Sequence, residues 1–132
     1  MSDRQRVSSG TPWEAKVGYC RAIRVGNLVF VAGTTASDEQ GNVIAPGDVY
    51  AQTAYVLQKI GRALQEVGAG FEDVVRTRSF TTDISRWQEF GQAHGEIFSA
   101  IRPVSTLVEV RGLVDPAHLI EIEVDAVISE KE

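Results

Sequence analysis

The 132 residues are 43% hydrophobic and 23% charged, the balance of one compact domain large enough to bury a real core. Thirteen Lys and Arg against eighteen Asp and Glu leave a net charge of -5, which excludes the basic face that a nucleic-acid backbone requires. Cys20 is the single cysteine, so a disulfide framework and a cysteine metal cluster are both excluded within one chain, and His94 and His118, well separated and outside any HExxH spacing, give no metal site.

No run of 18 apolar residues predicts a membrane span, and Met1 to Gly10 lacks the apolar core of a secretory signal. The expected compartment is cytoplasmic. Residues 1–17 are polar, broken by Gly10 and Pro12, and read as an N-terminal arm that Trp13 can pin down; residues 18–132 read as one domain. Tyr19 to Val25 and Leu28 to Gly33 are strand-like runs around Gly26-Asn27, a turn pair that tolerates positive φ, and they predict a hairpin. Asp38 to Gly47 is turn chemistry. Asp48 then offers an N-cap to a helix whose apolar residues recur from Val49 through Val56, Ile60 and Leu64 to Val67, with Gly68 as its stop.

Phe71 to Thr82 is rich in β-branched and aromatic residues and predicts a strand. Ser85 and Gln88 have capping-box spacing for a second helix, with a stripe of Trp87, Phe90, His94, Ile97 and Ile101 that Pro103 ends. Val104 to Val110 and Leu119 to Ile128 alternate as two closing strands. Two helices can cover one face of the resulting α/β (α+β) sheet, yet Leu28-Val29-Phe30-Val31 is a continuous apolar run that calls for cover on both. Oligomerisation through the sheet is therefore expected.

The chemistry-bearing residues each have a structural alternative. His94 on an apolar helix face fits a hydrogen-bonded structural histidine as well as an acid/base. Glu121, Glu123 and Asp125 share a strand face and fit a solvated row, unless a neighbouring subunit occludes them; desolvation and repulsion would then raise at least one pKa into a general-acid range. Cys20 reads as a small buried hydrophobe, and Ser105 lacks a nucleophile elbow. Gly68-Ala69-Gly70 follows a helix instead of opening one and cradles no phosphate.

Taken in order, Gly18-Tyr19, RVGNLVFVAG (24–33), Gln52-Thr53, Glu72-Asp73-Val74-Val75, Thr82-Asp83, Pro103 and LIEIEVDAV (119–127) resemble the YjgF/RidA superfamily, also labelled the L-PSP endoribonuclease family, over residues 18–128. The resemblance implies a chorismate-mutase-like mixed sheet with two helices on one face, a homotrimer with sheets inward, and small-molecule ligand clefts between subunits. It further implies enamine/imine deamination, the hydrolysis of a reactive 2-imino acid to a keto acid and ammonia, without metal or organic cofactor. In this resemblance Tyr19, His94 and Glu121 fall on the catalytic positions, and Gly33, Thr34, Gly91, Ser105 and Thr106 on ligand-binding ones. Ser105 replaces the arginine that clamps the substrate carboxylate, a charge-assisted contact worth about 1.5 to 3 kcal/mol. Arg111 has the strand parity of Ser105 but lies roughly 20 Å further along, so it could substitute only from another subunit. The Ser105 and Thr106 hydroxyls with His94 and Glu121 suit a neutral or cationic polar ligand. The alternative to a deaminase is thus a non-catalytic ligand-binding or regulatory trimer. The ribonuclease label of some relatives conflicts with the acidic charge.

Overall fold

A computed structural model describes residues 4–129; residues 1–3 of the expected arm and residues 130–132 lie outside the described residues. The elements run β1 (Arg4–Val7), β2 (Ala22–Val25), β3 (Leu28–Thr35), α1 (Val49–Glu66), β4 (Val74–Thr81), α2 (Trp87–Phe98), β5 (Val104–Glu109) and β6 (Ile120–Val127). The strands form one sheet in the order β1-β2-β3-β6-β4-β5. β4 and β5 are parallel, joined by α2 as a crossover, and every other pair is antiparallel.

The expected arm is not free. Residues 4–7 hydrogen-bond to β2 as an edge strand, and Glu14–Gly18 form a single wide helical turn that buries Glu14. A short polar stretch gives no periodicity to read, and here backbone pairing supplies the order instead. Trp13 stays 46% exposed, with its ring edge lying over Gly41.

The Asp48 carboxylate accepts the Ala51 N–H at 2.9 Å and starts α1, whose Val49, Val56, Leu57, Ile60 and Leu64 are buried to 1% exposure or less. Each such aliphatic contributes about 1.5 to 3 kcal/mol by leaving water. The chain leaves α1 through Gly68 at φ +84°, which the missing Cβ permits. β6 sends Ile120, Ile122, Val124 and Ala126 into the same core, and both helices cover that one face.

Three local expectations change. Asp83, not Ser85, is the capping residue: its carboxylate accepts the Ser85 N–H at 3.1 Å and the Ser85 hydroxyl at 2.6 Å, opening a 3₁₀ turn (Ile84–Arg86) that leads into α2. An aspartate two residues earlier is the stronger acceptor, and Ser85 becomes its donor. Trp87 leaves the apolar stripe and is 56% exposed, while Phe90, Ala93 and Phe98 are the buried side of α2. The strand expected from Phe71 begins at Val74, because Asp73 folds back onto the Gly70 N–H and closes a 3₁₀ turn first.

The helix-free face of the sheet is open. Val29 and Val31 are buried, whereas Leu28 and Phe30, pointing the other way, remain 42% and 44% exposed in the single chain.

Candidate functional site

Where β3 meets β6, the register slips between Val31 and Thr34, and this bulge sets Gly33 against Glu121. A Cβ on Gly33 would lie 2.7 Å from Glu121 Oε2, so any side chain there would push the Glu121 carboxyl aside. The carboxyl of Glu121 is pushed above the usual carboxylate range, chiefly by burial; Glu123 adds to the push and Arg21 opposes it. Of the three acids on the strand face, Glu121 alone has no ion pair among the described residues. Glu123 and Asp125 hold Arg78 at 2.6 and 3.5 Å, so the expected solvated row is a clamped ion network instead.

Arg21 organises this end of the sheet, a role that sequence reasoning missed. Its guanidinium is buried and donates to the Gly33 carbonyl at 2.7 Å, to Thr34 Oγ1 at 3.1 Å and, at 3.5 Å, to the Tyr19 hydroxyl. It also lies 5.5 Å from the centre of the Tyr19 ring. Its Nε makes no hydrogen bond among the described residues and faces the buried Glu14 at 3.7 Å. Burial raises the Glu14 pKa, but hydrogen bonds from Ser9, Ser8 and Thr11 outweigh it and hold the group ionised below its ordinary value. No sequence period marks this position, because Arg21 stands just before β2 and its partners lie across the bulge.

The structure therefore brings Tyr19, Gly33, Thr34 and Glu121 together. It does not bring the remaining candidates to them within one chain. Ser105 pairs in register with Thr77, and Thr77 with Val124, which puts Ser105 three rungs, roughly 10 Å, from the row of Phe80 and Glu121. Ser105 also points to the helix face, where Thr77 Oγ1 donates to its hydroxyl at 2.8 Å and contacts His94 Nε2 at 2.9 Å. His94 is stacked between Phe90 and Phe98 at 5.3 and 4.7 Å, and burial lowers its pKa, so it is held neutral at pH 7. In the single chain this is the structural-histidine arrangement. Gly91 lies one turn before His94 beside open space, and Thr106 is exposed on the helix-free face opposite Arg78. Cys20, a half-buried free thiol, lines a helix-free-face hollow of about 300 Å³ with Phe30, Arg78 and Asp125.

The Glu121 shift has a stability consequence with a definite sign. A carboxyl whose folded pKa is raised destabilises the fold as pH rises through the window from its ordinary value near 4.5 to the raised one. Glu121→Gln, the isostere of the protonated acid, is thus expected to melt above wild type at pH 7 and together with it below about pH 4. Thermal scans at the two pH values check this; a variant less stable at pH 7 contradicts the burial argument.

A one-layer helix cover, a mixed six-stranded sheet and a half-buried carboxyl pressed against a β-bulge glycine define a small α+β domain with a polar site at the sheet end. Residues 10–128 match the Endoribonuclease L-PSP family model, and the chain belongs to that family, the YjgF/RidA family. It is 50% identical to Rv2704 of Mycobacterium tuberculosis, a member of the YjgF/YER057c/UK114 family, with a TM-score of 0.87 over 96% of this chain and 100% of that one. It is 41% identical over 123 residues to the uncharacterised protein SCO2049 of Streptomyces coelicolor, covering 92% of this chain and 90% of that one. It is also 36% identical over 116 residues to the 3-aminoacrylate deaminase RutC of Acinetobacter baylyi, covering 88% and 90%.

Proposed function

We propose that this protein is a cofactor-independent, deaminase-type hydrolase of a small enamine or imine. The observation that carries the proposal is the raised Glu121 carboxyl against the Gly33 backbone, without an ion pair among the described residues, with Tyr19 near the Arg21 that fixes Gly33. The RutC relative supports the reaction class at the level of the family. Enamine hydrolysis needs a proton delivered to carbon or nitrogen, water added to the iminium carbon, and ammonia expelled from the resulting carbinolamine, leaving the carbonyl product. A carboxyl whose pKa is raised by burial can give the first proton and accept one from the attacking water. The Tyr19 hydroxyl, within reach of Arg21, would hydrogen-bond the substrate nitrogen or the water, and the Gly33 backbone, whose carbonyl Arg21 fixes, would line the substrate.

The site is completed by a second copy of the chain in this reading. Ser105 and His94 open on the helix side of the edge strand β5, and Glu121 on the helix-free face, so only a neighbouring subunit's edge can bring both sets to one cleft. The exposed Leu28, Phe30, Val104 and Val108 supply the apolar surface for a homotrimer packed through its sheets. Wild type is expected at three times the 14.4 kDa chain mass by light scattering, and Phe30→Glu at the mass of one chain. A wild-type mass that stays at one chain on concentration contradicts the assembly.

A second reading rests on Ser105: without a clamping cation the cleft binds a neutral or cationic polar ligand and does not turn it over. Ammonia release from 3-aminoacrylate or 2-iminobutyrate separates the two, since a binder shifts only the melting temperature.

A further inference from the structure

Away from the helix-free face, α1 and the N-terminal segment enclose a cavity of about 250 Å³ that the proposed reaction does not use. One stripe of α1 forms its wall: Tyr55, Lys59, Arg62, Ala63 and Glu66, facing Val7, Ser8 and Ser9 across the opening. We propose that this cavity binds a small α-amino acid, its carboxylate taken by Lys59 and Arg62 and its ammonium by Glu39 and Glu66.

The assignment follows from which charges are already spent. Arg21 closes the inner end, but its guanidinium is committed to Gly33, Thr34 and Glu14. Asp38 is occupied by its own turn, accepting from the Gln40 and Asn42 N–H groups at 3.0 and 2.9 Å. Lys59 uses two of its three donors on the Thr35 and Ser37 carbonyls at 2.9 and 2.8 Å, which fixes the ammonium and leaves one N–H. Arg62 and Glu66 are one helical turn apart, within reach of each other, yet neither forms an ion pair among the described residues; nor does Glu39.

The unspent groups are therefore two cations and two carboxylates around one small cavity. Around Lys59 the nearby charges are Arg21 and Arg62 against Glu14 and Asp38, and burial together with the two arginines lowers its pKa to about 8. Arg62, Glu39 and Glu66 are all exposed, at the mouth. The half-buried Lys59 thus makes the floor cationic, while the rim carries Arg62 beside the two carboxylates, a pattern that matches a zwitterion entering carboxylate first. A simple anion would face the rim acids, and a simple amine would face the floor. The volume falls below the ~300 to 1,000 Å³ of drug-sized pockets, which restricts the side chain to a short one lying on Val7, Ala63 and the Tyr55 ring.

The test is calorimetric titration of the full chain with glycine, L-alanine, L-threonine and L-valine, followed by the deaminated and decarboxylated counterparts of the tightest binder. For L-valine these are isovalerate and isobutylamine. At least one amino acid is expected to bind saturably with Kd at or below about 1 mM, and each half-molecule to bind about tenfold or more weaker. Arg62→Gln, which breaks no internal contact, is expected to weaken the amino acid about tenfold and leave isobutylamine unchanged; the Glu39→Gln/Glu66→Gln pair is expected to do the converse with isovalerate. Glu121→Gln is expected to bind normally, which separates this site from the proposed reaction. Isovalerate binding as tightly as valine, variants indistinguishable from wild type, or no saturation by any of the four amino acids overturns the proposal.

Discussion

Glu121→Gln is expected to lower kcat for enamine hydrolysis by about two to four orders of magnitude while the protein stays folded. The amide keeps the shape and one acceptor of the carboxyl, so contacts with the Gly33 backbone and the packing of β6 are retained. What is lost is the ability to pass a proton, and KM should change much less than kcat. The wild-type rate should also depend on the protonation of this one group: burial raises its pKa, so its acid form persists to higher pH than for an ordinary glutamate. Steady-state rates across pH for both proteins check the point. A variant with wild-type kcat removes Glu121 from the chemistry.

Arg21→Met carries the largest expected stability loss, about 3 to 5 kcal/mol, the cost of breaking a buried pair from one side. The substitution strips the guanidinium from the Gly33 carbonyl and Thr34 hydroxyl and leaves the ionised Glu14, only 5% exposed, without its cation. Methionine fills much of the same volume, so the loss is electrostatic and hydrogen-bonded, not a cavity. Adding Glu14→Gln should therefore recover part of it, a coupling that urea denaturation of the two single variants and the double variant measures. If Arg21→Met melts within about 1 kcal/mol of wild type, the buried arginine is not what holds the Tyr19–Gly33 corner together.

The hairpin at Gly26-Asn27, the Asp48 cap, the stripe of α1 and the alternation of β6 were legible because each is a local signal: turn residues, an N-cap and a fixed period. β1 was not, since Arg4 to Val7 has no pattern of its own and is ordered only by pairing with β2. The site divides the same way. Tyr19, Gly33 and Glu121 came from ordered resemblance and lie around Arg21 and the bulge, and the Glu121 pKa is raised by burial within the single chain, where a rise was expected only from a neighbouring subunit's cover. Arg21 was invisible because its importance lies in a contact with Gly33, twelve residues on, across a bulge that no sequence period marks. Ser105 and His94 fall on the other face of the sheet, a separation fixed by strand register, which is a tertiary property.

The departure at Ser105 keeps the functional question sharp. A site built on Glu121 with no clamping arginine can still hydrolyse an enamine, at the expense of affinity for the substrate carboxylate. High KM with measurable kcat is the kinetic form this should take.

The most direct measurement is ammonia release from freshly generated 3-aminoacrylate and 2-iminobutyrate by the wild-type protein, run beside Glu121→Gln and Ser105→Arg with the fold of each verified. The account predicts turnover by wild type that Glu121→Gln abolishes and Ser105→Arg improves through KM. A wild-type protein no faster than Glu121→Gln on either substrate, with activity appearing only in Ser105→Arg, would contradict it and leave a cleft that binds without reacting.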